Sequence, residues 1–413
     1  MPALSGNNLM RFKVVSGGYS SQQDDEDEPH IDHESVPAPC SGHKIVLTED
    51  YIYLIGGTLI CSKLQLKIFL VWRFNLLLET WTKLRTPVNF PSHLASFGVC
   101  NFFGFSEKLL MFGGTGYPFG STICNKVHVI NIPLDETKTI SVNTLEVKGE
   151  LVENRYGHAF KTVTNHADGS EAYYCIGGTD GQVYDLDVYV IRWKKDGFYW
   201  EKEATTPLDI QGLYKFDVAE YDGKFYFFGG GTVDAVKGLD ELYVYDTNTK
   251  TYSTVLTSPD PQHGYPAARK CHSATEFEGS VIITGGSTVG FPGGEPHIFD
   301  DVWSFNMSKK EWKKLDACLN SGLFFHDAAV TEEGCLYVFG GVKDGRGARR
   351  TNVCQKMWLK PPSLKTLAGE CIVQNYNNQV FLRMMDPTCS SILRYMLPLL
   401  PKYRYNRAVG HPQ

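Results

Sequence analysis

Short apolar stretches that end in two glycines recur along the whole chain. Each combines β-branched, aromatic and other apolar residues before its glycine pair, a pattern typical of a buried β-strand that enters a tight turn. The stretches occupy residues 53–57, 110–114, 174–178, 227–230, 282–286 and 337–341. Because the first glycines of successive pairs lie 52 to 64 residues apart, we predict a repeat protein with six units.

Aromatic residues at matched positions mark the second half of the repeat. They are Trp72 and Trp81, Tyr189 and Trp200, Tyr243 and Tyr252, and Trp303 and Trp312. We expect these side chains to fill the space between adjacent four-stranded sheets, and the glycine pairs to permit a turn where a Cβ would clash. Units of about 50 residues with this pattern resemble kelch repeats. The resemblance covers residues 40–360 and implies an all-β fold, a six-bladed kelch β-propeller.

The ends of the repeat region predict how the ring closes. The sixth unit stops at Trp358, shortly before Pro361 and Pro362, and therefore lacks one strand. Residues 11–15, within an N-terminal segment 1–20, have the alternation and β-branched content of a strand. We expect this N-terminal strand to close the last blade and so to remove an exposed sheet edge.

The net negative charge of the chain comes from a segment outside the repeats. The net charge of the chain is −6, and residues 24–34 contain seven carboxylates and no Lys or Arg, so the remainder is nearly neutral. The acidic run predicts a flexible linker over residues 21–39, which precedes the propeller, 40–360, and a partly helical C-terminal tail, 361–413. A nearly neutral body argues against a nucleic-acid-binding surface.

Cysteine usage and hydropathy bear on the compartment. The eleven cysteines are odd in number and include no CxxC pair, which favours free thiols in a reducing compartment over disulfides or a zinc site. The N-terminal residues lack the apolar core of a secretion signal, and the most apolar stretch, 59–78, contains three cations. We therefore expect a cytoplasmic and nuclear protein without a membrane partner. Residues 58–70, apolar where a polar loop is usual, are either an interaction surface or an error in the gene model.

Candidate binding residues follow from the geometry of a propeller. The starts of the inner strands, with the loops after the glycine pairs, surround the mouth of the central channel. The candidates at these starts are Arg155, Tyr156, Tyr214, Lys215, Arg269, Lys270, Phe324 and Phe325. Cations beside aromatic rings in one concave mouth suit a carboxylate or an acidic peptide. The alternative is that each cation is simply solvated at the rim.

Four histidines, His43, His158, His272 and His326, recur at one place in the repeat. We expect each to satisfy a backbone group within its own blade rather than to bind a metal or take part in catalysis. No nucleophile motif, carboxylate pair or phosphate-binding loop accompanies them, and the Tyr and His set of a copper enzyme of the galactose oxidase kind cannot be placed. We predict a protein that is not an enzyme and has no cofactor or metal.

Several segments resemble one group of kelch proteins in particular, the substrate receptors of cullin-2 ubiquitin ligases. These segments are residues 112–120, 228–232, 264–273, 327–331 and 334–337. The resemblance implies a propeller that binds the free C-terminus of target proteins ending in glycine, and a C-terminal helical segment that binds the elongin B/C adaptor. Ubiquitin transfer would then be carried out by partner subunits.

Residues 362–368 resemble the start of the adaptor-binding box of these receptors. The resemblance places Leu364 at the leading apolar position and Ala368 where a small residue is common. A docking helix needs Leu364, Leu367 and Cys371 on one face, and their i, i+3, i+7 spacing provides it. A helix that packs onto the propeller as a cap would need the same pattern. A free-standing kelch scaffold without ligase recruitment is therefore the alternative.

Two departures from the receptor pattern are visible. The blade-four segment with Tyr214 and Lys215 is less basic than its counterpart in these receptors. Beyond Glu370 the tail loses the helical pattern expected of the cullin-binding part, and only residues 400–403 are similar to the short proline motif found there.

Overall fold

The chain forms a ring of six β-sheets in a computed structural model, which describes residues 11–17, 35–59, 71–116, 118–133, 139–164, 169–289 and 295–375. Within these ranges the strands of the first half are β1 (Lys13–Ser16), β2 (Cys40–Ser41), β3 (Lys44–Leu47), β4 (Tyr51–Ile55), β5 (Thr58–Leu59), β6 (Val71–Asn75), β7 (Thr80–Leu84), β8 (Gly98–Phe102), β9 (Phe105–Phe112), β10 (Val127–Asn131), β11 (Ser141–Leu145), β12 (Val147–Gly149), β13 (Ala159–Thr164) and β14 (Glu171–Thr179). The remaining elements are β15 (Tyr184–Lys194), β16 (Gly197–Ala204), β17 (Asp217–Tyr221), β18 (Lys224–Phe228), β19 (Glu241–Asp246), β20 (Thr251–Leu256), β21 (Ser273–Phe277), β22 (Ser280–Thr284), β23 (Asp301–Asn306), β24 (Glu311–Cys318), β25 (Asp327–Val330), β26 (Cys335–Phe339), β27 (Cys354–Trp358) and the helix α1 (Leu364–Asn375).

Each blade is an antiparallel sheet of four strands whose first strand lies nearest the channel. The blades, in order, are β3-β4-β6-β7, β8-β9-β10-β11, β13-β14-β15-β16, β17-β18-β19-β20, β21-β22-β23-β24 and β25-β26-β27-β1. In blade 3 the short β12 adds a fifth strand parallel to β16. The predicted six-bladed, all-β propeller is confirmed.

The last blade is closed by the N-terminal strand. β1 pairs antiparallel with β27, with Lys13 opposite Lys356 and Val14 opposite Gln355. Trp81 of blade 1 donates a hydrogen bond from its indole Nε1 to Oγ of Ser16 at 2.7 Å, which ties the neighbouring blade to the closing strand. The predicted closure is confirmed, with the strand two residues later at its start than the alternation suggested.

Aromatic side chains fill the space between blades, as expected from the repeat. The outer-strand Trp of one blade packs on the Phe that precedes the glycine pair of the preceding blade. The ring centroids lie 5.2 Å apart for Trp81 and Phe339, 5.0 Å for Trp200 and Phe112, and 6.1 Å for Trp312 and Phe228. Contacts of this kind bury large apolar surfaces between sheets and hold the ring together.

The glycine pairs are required where neighbouring blades approach most closely. Gly113 and Gly114 have φ angles of +66° and +96°, which L side chains rarely adopt. A Cβ on Gly113 would lie 2.6 Å from the backbone oxygen of Arg155 in the next blade, and one on Gly114 would lie 2.2 Å from the backbone oxygen of His93. A side chain at Gly113 would therefore push against blade 3, and one at Gly114 would push against the segment that leads into β8 of its own blade.

The tail helix is longer than the sequence pattern suggested. Helical structure continues past Glu370 to Asn375, so the expected loss of helix at residue 370 is wrong. Most of the predicted linker (21–34), residues 60–70 of the apolar stretch and the tail from residue 376 lie outside the described residues.

Two further observations concern composition. The nine cysteines in the described ranges are all free thiols. Within the same ranges, no helix combines the length and the apolar character that a membrane crossing requires.

Candidate functional site

Six residues form a closed ring of backbone hydrogen bonds at the mouth of the channel, and we call it the floor ring. Its members are Gly42, Ser96, Gly157, Lys215, Cys271 and Phe325, one from each blade, with φ angles between +51° and +69°. Each N–H donates to the carbonyl of the equivalent residue in the preceding blade at 2.7–3.0 Å. The left-handed backbone conformation turns both polar groups of each residue along the ring, so the floor of the mouth is made of satisfied peptide groups.

The channel beneath the floor ring is nearly filled by side chains. A cavity of about 20 Å³ remains there, lined among others by His43, Lys44, Asp217 and Asp327. Lys44 lies 3.4 Å from a carboxylate oxygen of Asp327, and the other oxygen of that carboxylate accepts a hydrogen bond from the backbone N–H of Ile45 at 2.8 Å. A space of this size holds about one water molecule, so this cavity does not admit a larger ligand.

Aromatic rings surround the mouth above the floor ring. The ring centroids of Tyr156 and Tyr214 are 5.6 Å apart, and those of Phe324 and Phe325 are 5.4 Å apart. Phe119, from the loop after the glycine pair of blade 2, lies 5.4 Å from Tyr156 and 6.0 Å from Phe325, and 44% of its surface is exposed. One phenylalanine therefore spans the mouth between blades 3 and 6, and the site is a shallow aromatic bowl.

Lys215, of the floor ring, is a half-buried cation that lines the channel cavity together with Lys44 and Asp327 and also lies beside the bowl. Its Nζ lies 5.4 Å from the centroid of the Phe325 ring, and no acceptor in the described part of the chain receives a hydrogen bond from it. Desolvation, together with the ammonium of Lys44, lowers the pKa of Lys215 to about 8. Lys270, by contrast, donates from Nζ to the backbone oxygen of Thr232 in the loop of blade 4. A ligand carboxylate would give Lys215 the partner that the protein does not supply.

The two predicted arginines point into their own blades. Arg155 donates from one guanidinium nitrogen to the backbone oxygen of Gly177 at 2.9 Å and lies 3.2 Å from a carboxylate oxygen of Asp185. Arg269 makes the same two contacts in blade 5, to Gly285 at 2.9 Å and to Asp301 at 2.6 Å. Both side chains are buried. These contacts hold the loop after each glycine pair, and they place both guanidinium groups away from the bowl.

The structure therefore brings six of the eight predicted residues together around the mouth. These are Tyr156, Tyr214, Lys215, Lys270, Phe324 and Phe325, of which only Lys215 presents a cation without a protein acceptor.

Sequence reasoning missed three residues at the mouth. Phe119 is one, and Tyr184, 6.2 Å from Tyr214 between ring centroids, is the second. The third is Arg350, whose Nε donates to Oγ of Ser41 at 2.8 Å at the wall of blade 1. Phe119 and Arg350 lie on loops that follow a glycine pair, Tyr184 begins β15 after such a loop, and their distance from the pair differs from blade to blade. A search at fixed positions in the repeat could not find them.

The repeated histidines join neighbouring blades. Nε2 of His43 lies 3.1 Å from the backbone oxygen of Phe339 in blade 6, and Nε2 of His326 lies 3.0 Å from Oγ1 of Thr284 in blade 5. The expectation of a partner within the same blade is therefore wrong. Each imidazole occupies the space left by a missing Cβ, with Cε1 of His43 2.7 Å from where a Cβ of Gly340 would be.

The environment of these histidines keeps them neutral. Burial and the charge of His326 lower the pKa of His43 to about 3, and burial and the charge of His272 lower the pKa of His326 to about 3. Among the residues that the structure describes, no group of three or more His, Cys, Asp or Glu side chains is placed to hold a metal ion.

The tail helix presents a second surface. Leu364 is 85% exposed, and Ala368 and Cys371 are also exposed, whereas Leu367 is half-buried against the propeller side. Oγ of Ser363 accepts a hydrogen bond from the backbone N–H of Thr366 at 3.1 Å and so caps the first turn. Of the predicted docking residues, the structure thus brings Leu364, Ala368 and Cys371 to one outward face, with Leu367 at its edge.

Comparison with known proteins agrees with the geometry. The family profile of the KLHDC2/KLHL20/DRC7 Kelch-repeats domain matches residues 100–341. Kelch domain-containing protein 10 of Rattus norvegicus is 30% identical over 379 residues, which are 90% of this chain and 85% of the relative. The Homo sapiens protein of the same name is 30% identical over 355 residues, 84% of this chain and 76% of the relative.

A likeness among solved structures concerns the fold alone. The structure of YjhT superposes with a TM-score of 0.56 at 15% sequence identity, over 78% of this chain and 95% of that one. Kelch propellers are generally non-catalytic scaffolds for protein interaction. With six closed blades, paired glycines at each and a matching family profile over more than half of its length, the chain belongs to the kelch-repeat β-propeller family.

Proposed function

We propose that this chain is the substrate-recognition subunit of a cullin-2/elongin B/C ubiquitin ligase. Its propeller mouth binds the free C-terminus of target proteins ending in glycine, and α1 recruits the adaptor. The chain itself performs no chemistry, and ubiquitin is transferred by the partner subunits. Free thiols throughout the described ranges agree with a cytoplasmic and nuclear location, which belongs to the same proposal.

The observation that carries the receptor half of the proposal is the bowl with one uncommitted cation. Lys215 stands at the floor ring beside Phe325, and the closed ring stops a ligand from entering the channel. A terminal carboxylate fits such a site because it carries charge at the very end of a chain, where no following residue has to be accommodated. A glycine end suits a shallow floor because it adds no side chain between the carboxylate and the aromatic rings.

The outward face of α1 supports the recruitment half. A scaffold that used this helix only as a cap would bury Leu364, but that side chain is 85% exposed. An isolated helix of 12 residues is only marginally stable in water and gains stability from packing against other protein. The exposed Leu364 suits such packing in the groove of a partner. The alternative, a kelch scaffold without ligase recruitment, would leave this apolar face without a role.

The test is capture of the purified full chain by elongin B/C. Wild type should be captured, and Leu364→Asp should not, because it places a charge on the face that enters the groove. Leu208→Asp is the matched control, since Leu208 is also a highly exposed leucine but lies in a loop between blades 3 and 4. Capture of Leu208→Asp together with loss in Leu364→Asp would support recruitment. Absence of capture by folded wild type would overturn it in favour of the scaffold.

A further inference from the structure

The tail helix contacts the propeller at its N-terminal end and at its middle. At the N-terminal end, Ser363 and Thr366 both direct their hydroxyl groups to the carboxylate of Glu333, in the inner hairpin turn of blade 6. In the middle, Gly369 packs on Leu77, whose Cδ1 would lie 3.2 Å from a Cβ at that position. Leu77 belongs to the outer hairpin turn of blade 1. The helix therefore lies across the junction of blades 6 and 1, where β1 closes the ring.

A buried lysine stands at the centre of this junction. Lys356 lies on β27, between Tyr337 of β26 and Lys13 of the closing strand β1. Its Nζ is 2.8 Å from Oε1 of Glu79 in blade 1 and 2.7 Å from Oε1 of Glu370 in α1, and only 7% of its side chain is exposed. One ammonium thus joins the last blade, the first blade and the tail helix.

The electrostatics make this lysine decisive for the helix. Burial by itself lowers the pKa of a lysine, but the hydrogen bonds that Lys356 donates to Glu370 and Glu79, with the charges of these carboxylates, outweigh burial and raise the pKa of Lys356. Both carboxylates contact the same nitrogen, so they lie close together and repel each other once the ammonium is removed. Other contacts of α1 that the structure describes are the hydroxyl groups of Ser363 and Thr366 with Glu333 and the packing of Gly369 on Leu77, which bury little apolar area.

We infer that Lys356 is the positioning residue that holds α1 against the ring and so sets the direction in which Leu364, Ala368 and Cys371 face. The inference does not depend on which partner binds, because the helix has the same orientation for any protein that contacts this face. On this inference, the orientation of α1 depends on the junction of blades 6 and 1, where β1 closes the ring.

Hydrogen–deuterium exchange of residues 364–375 in the full chain tests the inference. A 12-residue helix has little stability alone, so its amides are protected only while it is docked. In Lys356→Met we expect these amides to exchange at least about tenfold faster than in wild type, with unchanged exchange in β13 to β16 of blade 3. Lys360→Met is the matched control, because Lys360 pairs with Glu278 at the surface and not with α1.

A charge exchange guards against a folding defect. In the double variant Lys356→Met/Glu370→Lys, the new lysine can pair with Glu79 from the helix side, and protection of α1 should return. Glu370→Gln leaves β27 untouched and should expose the same amides even if Lys356→Met fails to fold. Wild-type protection of α1 in Glu370→Gln or in folded Lys356→Met would overturn the inference. Failure of elongin capture would not, so the two proposals can be distinguished.

Discussion

Neighbouring cations at the starts of the inner strands take opposite roles because successive side chains point in opposite directions. Arg269 turns into blade 5 and binds Asp301, whereas the side chain of Lys270 reaches a loop of blade 4. The same alternation separates Arg155 from Tyr156 in blade 3. Residue type alone therefore does not tell a structural cation from one that can meet a ligand.

Arg269→Ala tests the structural role. The change removes the guanidinium partner of the Asp301 carboxylate, which keeps only the indole N–H of Trp303, and takes a donor from the backbone oxygen of Gly285. We therefore expect the free energy of unfolding to fall by about 3 kcal/mol. Urea denaturation measures it. The control Arg346→Ala removes a pair with Glu295 at the surface and should cost less than about 0.5 kcal/mol. Equal losses in the two variants would contradict the assignment.

The buried histidines predict acid sensitivity. Burial is the main cause that lowers the pKa values of His43, His272 and His326 to about 3, 4 and 3. Below about pH 6.5 the unfolded chain binds protons at these positions while the folded chain does not. The stability is thus full above pH 6.5 and falls toward pH 4, by up to about 1.4 kcal/mol per pH unit for each histidine. Denaturation curves at pH 7, 6 and 5 measure this slope.

A variant of the fourth histidine gives the control for that slope. Blades 2 and 4 have Phe97 and Phe216 at the position that His158 occupies in blade 3, so the fold accepts phenylalanine there. Burial and the charge of Arg155 lower the pKa of His158 well below its usual value. His158→Phe should keep the fold and make the loss of stability below pH 6.5 less steep. An unchanged slope would show that His158 does not contribute to it.

At the scale of the element, the closing strand was predictable because its signal is local. Alternation over residues 11–15 and a missing strand at the end of the repeats were enough. The cross-blade contacts of the histidines were not predictable, because they depend on neighbours that are distant in sequence. His43, for example, bonds to a carbonyl at residue 339.

Truncation tests the importance of β1. Removal of residues 1–17 leaves Gln355 and Lys356 on an open sheet edge and takes the acceptor Ser16 from Trp81. We expect a loss of about 3 kcal/mol, which lowers Tm by roughly 5 °C or more, and self-association through the open edge. Scanning fluorimetry and light scattering report both. Removal of residues 1–10 retains β1 and is the control, and a similar Tm for the two truncations would argue against closure by this strand.

At the scale of the whole molecule, repeat periodicity predicted the number of blades and the position of the mouth. It could not predict which residues meet there, because the mouth is assembled from loops whose lengths differ among blades. Phe119 of blade 2 contacts Phe325 of blade 6, and Arg350 of blade 6 donates a hydrogen bond to Ser41 at blade 1. The most variable part of each repeat thus determines the shape of the site.

Binding at the mouth should depend on pH through Lys215. Because its pKa is lowered to about 8, the ammonium is present below pH 8 and is lost as the pH rises above it. On the proposed function, a peptide with a free C-terminal glycine should bind up to about tenfold more weakly per pH unit above pH 8, by fluorescence polarisation. The amidated peptide should bind weakly at every pH. Lys215→Arg should extend tight binding to higher pH because arginine stays charged, and an identical profile in that variant would exclude this role for Lys215.

In the floor ring, the groups that join the blades differ from the groups that can contact a ligand. Only peptide groups form its hydrogen bonds, so glycine, serine, lysine, cysteine and phenylalanine all serve in it. A substitution at a ring position can therefore change the chemistry of the floor while the bonds between blades persist, provided that the new residue tolerates the left-handed backbone. Engineering a propeller of this kind toward another target can begin at these positions without rebuilding the architecture, except at Gly157, where a Cβ would lie 2.2 Å from the ring of Tyr214.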